Sequence, residues 1–175
     1  MPFINEKLQI EEHFYPLSLD YNPIFESLIL QNINHTEVIP PGCHSNMTQW
    51  NIHNESSEMK HFISWVLDIT QENFINPNVD ISSPYRVECL NTWGIIMNEG
   101  DYLESHNHIP SRYSFTYYIN APEGSSPLIF PSSGYEVNPE VGKVVIFESR
   151  LLHEVPPNHC KNRYSFVGNL IAFTS

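Results

Sequence analysis

From residue 86 onward the hydrophobicity of this 175-residue chain alternates with a period of two, in short runs cut apart by Pro, Gly and Asn. The runs are 86–98 (RVECLNTWGIIMN), 112–120 (RYSFTYYIN), 127–131 (PLIFP), 143–149 (KVVIFES), 151–155 (LLHEV) and 163–173 (RYSFVGNLIAF), all rich in β-branched and aromatic residues. Strands so short and so closely spaced bury their apolar faces only in two packed sheets or in one sheet closed on itself. The fold class is therefore mainly β, a sandwich or barrel.

The front of the chain has a different period. In 56–70 (SSEMKHFISWVLDIT), Met59, Phe62, Ile63, Val66 and Leu67 recur at i, i+3, i+4, i+7 and i+8, with Asn54 or Ser56 available as N-cap. That spacing predicts one amphipathic helix. The run 24–31 (IFESLILQ) after Pro23 reads as a second helix, with a strand as the alternative.

At 41% hydrophobic and 16% charged residues the chain has enough apolar surface to fold, and its length fits one domain. Eight Lys and Arg against 20 Asp and Glu give a net charge of −12, which argues against nucleic acid or anionic membrane as a partner and favours basic or neutral ones. The start, MPFINEKLQIEEHFY, has neither the basic opening nor the apolar run of a signal peptide, and the expected location is the cytoplasm. Cys43, Cys89 and Cys160 are odd in number and widely spaced, as expected of reduced thiols. Sequons at Asn34, Asn46 and Asn54 carry no weight without secretion.

Two runs have a polar and an aromatic stripe. Because alternate strand residues point to opposite faces, Ser114, Thr116 and Tyr118 oppose Tyr113, Phe115, Tyr117 and Ile119, and Arg163, Ser165 and Asn169 oppose Tyr164, Phe166 and Leu170. Such stripes describe either an ordinary sheet with its polar face in water or a barrel with a polar, ligand-holding interior.

His106 and His108 are at i and i+2, on one face if the segment is a strand, with backbones roughly 7 Å apart and Asn107 turned away. His153 ends an apolar run, and ten residues later comes Arg163, one of only four Arg. An Arg in so apolar a setting calls for an anion. Two histidines and usually a carboxylate on one face of a metal leave positions open for a chelating co-substrate and oxygen, while a guanidinium suits the far carboxylate of a dicarboxylic acid. Spacing alone joins His153 to Arg163 by a simple hairpin.

Three segments together, TWGIIMNEGDYLESHNHIPSRYSFTYYIN, GKVVIFESRLLHEVPPN and NRYSFVGNL, resemble the 2-oxoglutarate and Fe(II)-dependent oxygenases, in particular the small prolyl-4-hydroxylase-like proteins of phages and bacteria. The resemblance covers about residues 90–172, with an echo in NMTQWNIHNES at 46–56. It implies a double-stranded β-helix, the jelly roll of cupin-like proteins, with a core at about 86–175 and helical support at about 1–75, in a single domain over 1–175. It implies Fe(II) held by His106 and His153, and Arg163 on the distal carboxylate of 2-oxoglutarate, with Ser165 and Tyr118 adding hydroxyl contacts.

Position 108 departs from the pattern, since most of the superfamily has Asp or Glu there. His108 completes a three-histidine site in this reading; Glu104, or water, is the alternative third ligand. Trp93 and Met97 are candidates for the pocket mouth, and Arg112 for a substrate contact or a solvated turn. His13, His35, His44, His53, His61 and His159 have no partner at ligand spacing.

The implied reaction takes up O2, converts 2-oxoglutarate to succinate and carbon dioxide, and hydroxylates an unactivated C–H bond. A prolyl residue in a peptide or protein is the nearest analogy for substrate, and a free small molecule is the other class. Two further readings are a three-histidine, cupin-type dioxygenase that does not use 2-oxoglutarate, and a jelly-roll interaction module, such as a virion protein, without catalysis.

Overall fold

A computed structural model describes residues 9–33, 40–75 and 84–174. Strand β1 (Ile10–Phe14) and helix α1 (Ser18–Asn32) are followed by the short β2 (Cys43–His44) and β3 (Asn46–Met47) and by helix α2 (Ser57–Thr70). Eight strands follow: β4 (Tyr85–Met97), β5 (Tyr102–His106), β6 (Tyr113–Asn120), β7 (Leu128–Phe130), β8 (Tyr135–Val137), β9 (Lys143–Glu148), β10 (His153–Val155) and β11 (Arg163–Thr174). No helix among the described residues is long and apolar enough to cross a membrane.

The strands form a six-stranded sheet, β1-β9-β6-β11-β4-β3, and a five-stranded sheet, β2-β5-β10-β7-β8. From β4 the chain repeatedly crosses between the two, and neighbouring strands pair antiparallel. This is the double-stranded β-helix that the resemblance implies. The hairpin suggested by spacing does not form: β10 pairs with β5 and β7, while β11 pairs with β4 and β6 in the other sheet. The crossing between them is pinned by Asn158, whose buried Nδ2 donates to Cys160 O at 2.9 Å and whose Oδ1 accepts from Ser126 N at 3.1 Å.

Both stripes of β6 and β11 are buried, each against a different layer. Tyr113, Phe115, Tyr117, Tyr164, Phe166 and Leu170 pack outward on Phe25, Ile29, Met59, Phe62 and Val66 of the two helices. Full burial of each such side chain favours the fold by about 1.5–3 kcal/mol, so the helices brace the larger sheet. On the inner face Ser114, Thr116, Tyr118, Arg163, Ser165 and Asn169 are at most 9% exposed, so the polar stripe lines the interior between the sheets instead of meeting water. Gly168 lets the layers close: a Cβ there would collide with the Phe115 ring.

Helix α2 matches its predicted span, and Ser56 Oγ caps it by accepting from Met59 N at 3.1 Å. Helix α1 is the second helix, but it begins six residues before 24–31 and carries Pro23 in its second turn. Its buried residues, Asn22, Phe25 and Ile29, make a thin stripe, while Leu19, Ile24 and Leu30 stay exposed and blur the pattern. Asn22 anchors it by donating to Ile119 O (2.9 Å) and accepting from Tyr117 Oη (2.5 Å). The front of the chain is not helical throughout, since β1 forms the edge next to β9, and β2 and β3 extend the two sheets.

Candidate active site

His106 closes β5 and His153 opens β10, and the two are directly paired across the smaller sheet. Their rings are therefore neighbours, with centroids 4.4 Å apart. The strand does not run on to His108 as the two-residue spacing suggests. The chain leaves it after His106, and His108 is held by its own backbone N–H, which donates to Ser149 O at 2.8 Å. The His108 ring nevertheless returns to the cluster, 5.1 Å from the ring of His106 and 5.0 Å from that of His153. One nitrogen from each ring can be chosen so that all three lie within 4.8 Å of one another, close enough to share an ion.

The outward nitrogens are all engaged. Nδ1 of His106 bonds Glu104 O at 2.7 Å, Nδ1 of His153 bonds Leu151 O at 2.9 Å, and Nδ1 of His108 bonds Asn169 Oδ1 at 2.5 Å. A carbonyl oxygen only accepts, so each Nδ1 carries the proton and each Nε2 keeps a lone pair, the tautomer a metal requires. Ser114 Oγ donates to the same Asn169 Oδ1 at 3.0 Å and so tethers that amide beside His108. Replacing Asn169 by Ala is expected to lower metal affinity about 10- to 100-fold. Asn169→Asp, which keeps the acceptor, retains most of it; competition with a chromophoric chelator measures both, and an unchanged Ala variant would show that the bond does not orient the ring.

Burial pushes His108 down to about 4, with His106 adding to the fall and the Asn169 bond opposing it. Burial, reinforced by His106 and His108, pushes His153 down to about 3. Both are neutral at pH 7 and ready to bind a cation. In metal-free protein the unfolded chain takes up protons at these rings below their ordinary value of 6.5, while the folded chain does not until much lower pH. Stability is thus fully present above pH 6.5 and is lost as pH falls toward the depressed values, by on the order of 2 kcal/mol per ring by about pH 5. Thermal melts in chelator should show that decline, and a flat profile between these values would contradict it.

Arg163 begins β11, is 2% exposed, and lines the same cavity as the three histidines. Its Nη1 donates to Met97 Sδ at 2.9 Å, a weak acceptor, and its Nε has no partner. Among the described residues no carboxylate makes an ion pair with it. Its guanidinium carbon lies 5.4 Å from the centre of the Tyr118 ring, and the buried Tyr118 oxygen faces that guanidinium while its own O–H meets no acceptor in good hydrogen-bond geometry. Burial raises the Tyr118 pKa, so the hydroxyl stays protonated and able to donate. A buried cation with unspent donors, beside an unspent hydroxyl, is a site built for an anion. Ser165, two residues on along the same face of the strand, faces the cavity; Tyr118 stands behind the guanidinium rather than on the cavity wall.

The cavity holds about 420 Å³, and Trp93, Ile95 and Met97, on one face of β4, form one of its walls. Trp93 lies nearly parallel to His108, with ring centres 5.7 Å apart. The alternatives fall elsewhere. Glu104 turns its carboxylate to His44 (3.3 Å), and among the described residues no carboxylate joins the cluster. Arg112 is exposed beside the Tyr113 ring, 5.5 Å away, and does not line the cavity. His44 stacks on Tyr102, His61 bonds Tyr15 Oη, and His35 lies outside the described residues. Asn169 was legible only as a member of the polar stripe; nothing in its spacing announces His108 as its partner.

No family model and no curated protein matches the sequence. Solved structures do. A viral collagen prolyl hydroxylase from Paramecium Bursaria Chlorella virus-1, in complex with 2-oxoglutarate, is 16% identical with a TM-score of 0.61 over 97% of this chain and 98% of its own. A Pseudomonas putida prolyl-4-hydroxylase is 16% identical with a TM-score of 0.69 over 94% of this chain and 93% of its own. SnoN, a non-heme alpha ketoglutarate dependent epimerase from nogalamycin biosynthesis, is 9% identical with a TM-score of 0.68 over 94% of this chain and 78% of its own. One architecture thus carries more than one reaction. What this chain shares with them is the fold: it is built as the prolyl hydroxylases and related 2-oxoglutarate-dependent enzymes are.

Proposed function

We propose that this chain, as a single domain, is a non-haem Fe(II) and 2-oxoglutarate-dependent oxygenase that hydroxylates a C–H bond. The observation that carries the reading is Arg163: a buried guanidinium with no carboxylate partner among the described residues, in one cavity with three metal-ready imidazoles. Together the two halves fit a dicarboxylic acid chelated to an ion. The fold of prolyl hydroxylases makes a prolyl residue of a peptide or protein a candidate substrate, alongside small molecules. The unpaired thiols suit a cytoplasmic location, which is the host cytoplasm if the gene is a phage's.

His106, His108 and His153 would hold Fe(II), which when bound supplies O2 activation and, with 2-oxoglutarate as the two-electron reductant, oxidation of a C–H bond. The chain does the rest. Arg163 fixes the far carboxylate of 2-oxoglutarate, with the Ser165 hydroxyl as a further donor and Tyr118 packed behind the guanidinium. Asn169, Glu104 and Leu151 hold the imidazole tautomers. Trp93, Ile95, Met97 and Val167 keep the interior dry and so strengthen the charge contacts made within it.

The test is product analysis. Protein supplied with Fe(II), O2 and 2-oxoglutarate should form succinate, slowly without substrate. The all-imidazole donor set also suits a dioxygenase acting on a directly chelated substrate, in which case O2 is consumed without succinate. No turnover under either condition would leave a binding module.

A further inference from the structure

Away from the histidines and Arg163, the cavity wall formed by the described residues carries no formal charge: among them no Asp, Glu or Lys lines it, in a chain whose net charge is −12. Its rim includes Trp50, Leu90 and Ile109, which leave 36%, 49% and 64% of their surface exposed. Isolated exposed apolar residues are ordinary, but several around one opening mark a surface that something covers. Trp50 is held in place, because its carbonyl accepts from Thr92 N at 2.8 Å and its ring packs on Trp93 with centres 4.6 Å apart. Trp93 in turn lies parallel to His108. The two indoles make a continuous aromatic surface from the metal-ready imidazoles to the outside. Beside them Asn91 lines the cavity with a buried Oδ1 that has no partner.

We infer that the primary substrate is uncharged, placing an apolar group on Trp93 beside the histidines and its flanking part over Trp50, Leu90 and Ile109, with Trp50 as a specificity-determining residue. The inference rests on the oxygenase reading and specifies its substrate. A carboxylate on the substrate would find only Arg163, already committed to the co-substrate. An ammonium would find indole faces, which attract cations, but no carboxylate to complete its desolvated shell. The overall negative charge draws cations from a distance, but in solvent at about 0.15 M salt that attraction is screened over about 8 Å, and it supplies no carboxylate partner inside the pocket.

The test is calorimetry under argon on the full chain with Fe(II) and 2-oxoglutarate, at that salt concentration. The probes are terminally blocked peptides of Ala, Leu, Phe and Pro, the same peptides with one central Lys or Glu, and N-acetyl-leucinamide as the small neutral source. Neutral peptides should bind at least about tenfold more tightly than either charged version, and Trp50→Ala should cost about tenfold. The visible absorption of the Fe(II)–2-oxoglutarate complex serves as the control that the variant is folded. Binding of N-acetyl-leucinamide as tight as that of the peptides would assign a small-molecule source to the same chemistry. Equal or tighter binding of a Lys or Glu peptide, an unaffected Trp50→Ala, or no binding by any neutral probe would overturn the inference while leaving the oxygenase reading in place. Loss of the visible absorption in the unmodified protein would remove that reading and the inference with it.

Discussion

Replacing Arg163 by Met should weaken 2-oxoglutarate binding about 100- to 1000-fold, the loss that follows when one partner of a buried charge pair is removed. Metal affinity should change by no more than a few-fold, because Arg163 makes no hydrogen bond to any of the three histidines. The same variant should melt higher than the unmodified protein when neither metal nor co-substrate is present. In the unliganded fold the guanidinium is 2% exposed, with Met97 Sδ as an acceptor and its Nε unpaired, an arrangement that costs stability until an anion arrives. Methionine fills similar volume without a charge to desolvate. A structural Arg would behave in the opposite way, with melting temperature and metal affinity falling together and 2-oxoglutarate affinity following only as a consequence.

Replacing His153 by Ala should lower metal affinity by about 1000-fold, as loss of one protein ligand from a three-ligand site requires. His153 is the ring to remove, because it is 4% exposed, is the cross-strand partner of His106, and cannot be replaced by a neighbour. His108→Asp is the contrasting variant. It puts a carboxylate where the chain departs from the usual two-histidine, one-carboxylate set, and oxygen donors suit Fe(II), so binding should survive. If His153→Ala kept its metal, the three rings would not act as one ligand set; if His108→Asp lost it as completely, a carboxylate would not substitute for the imidazole at that position.

Sequence reasoning reached the parts of this fold that are governed by local period. Met59, Phe62, Ile63 and Val66 repeat at helical spacing and bury one helical stripe. Tyr113, Phe115 and Tyr117 alternate with Ser114, Thr116 and Tyr118, and each set finds its own layer. What it could not reach depends on pairing across long stretches of chain. His153 and Arg163 are close in sequence, but their strands join opposite sheets because β11 is captured along its length by β4 and β6. The bond from Asn169 to His108 spans 61 residues and exists only because Asn169 is in register with Ser114. Strand β1 is short and polar, IEEHF, and is a strand only because β9 offers it an edge. The clustering of His106, His108 and His153 with a buried Arg163 could be anticipated because a metal cluster and an anion clamp need rare residue types, and the histidines and arginines of this chain are few enough to weigh one by one.

The most direct measurement is anaerobic titration of the Fe(II)-loaded protein with 2-oxoglutarate, followed by visible absorption. A saturable metal-to-ligand charge-transfer band is the predicted result, present in the unmodified protein, displaced to about 100-fold or more higher 2-oxoglutarate in Arg163→Met, and absent in His153→Ala. A protein that binds Fe(II) and develops no band at any 2-oxoglutarate concentration would contradict the account.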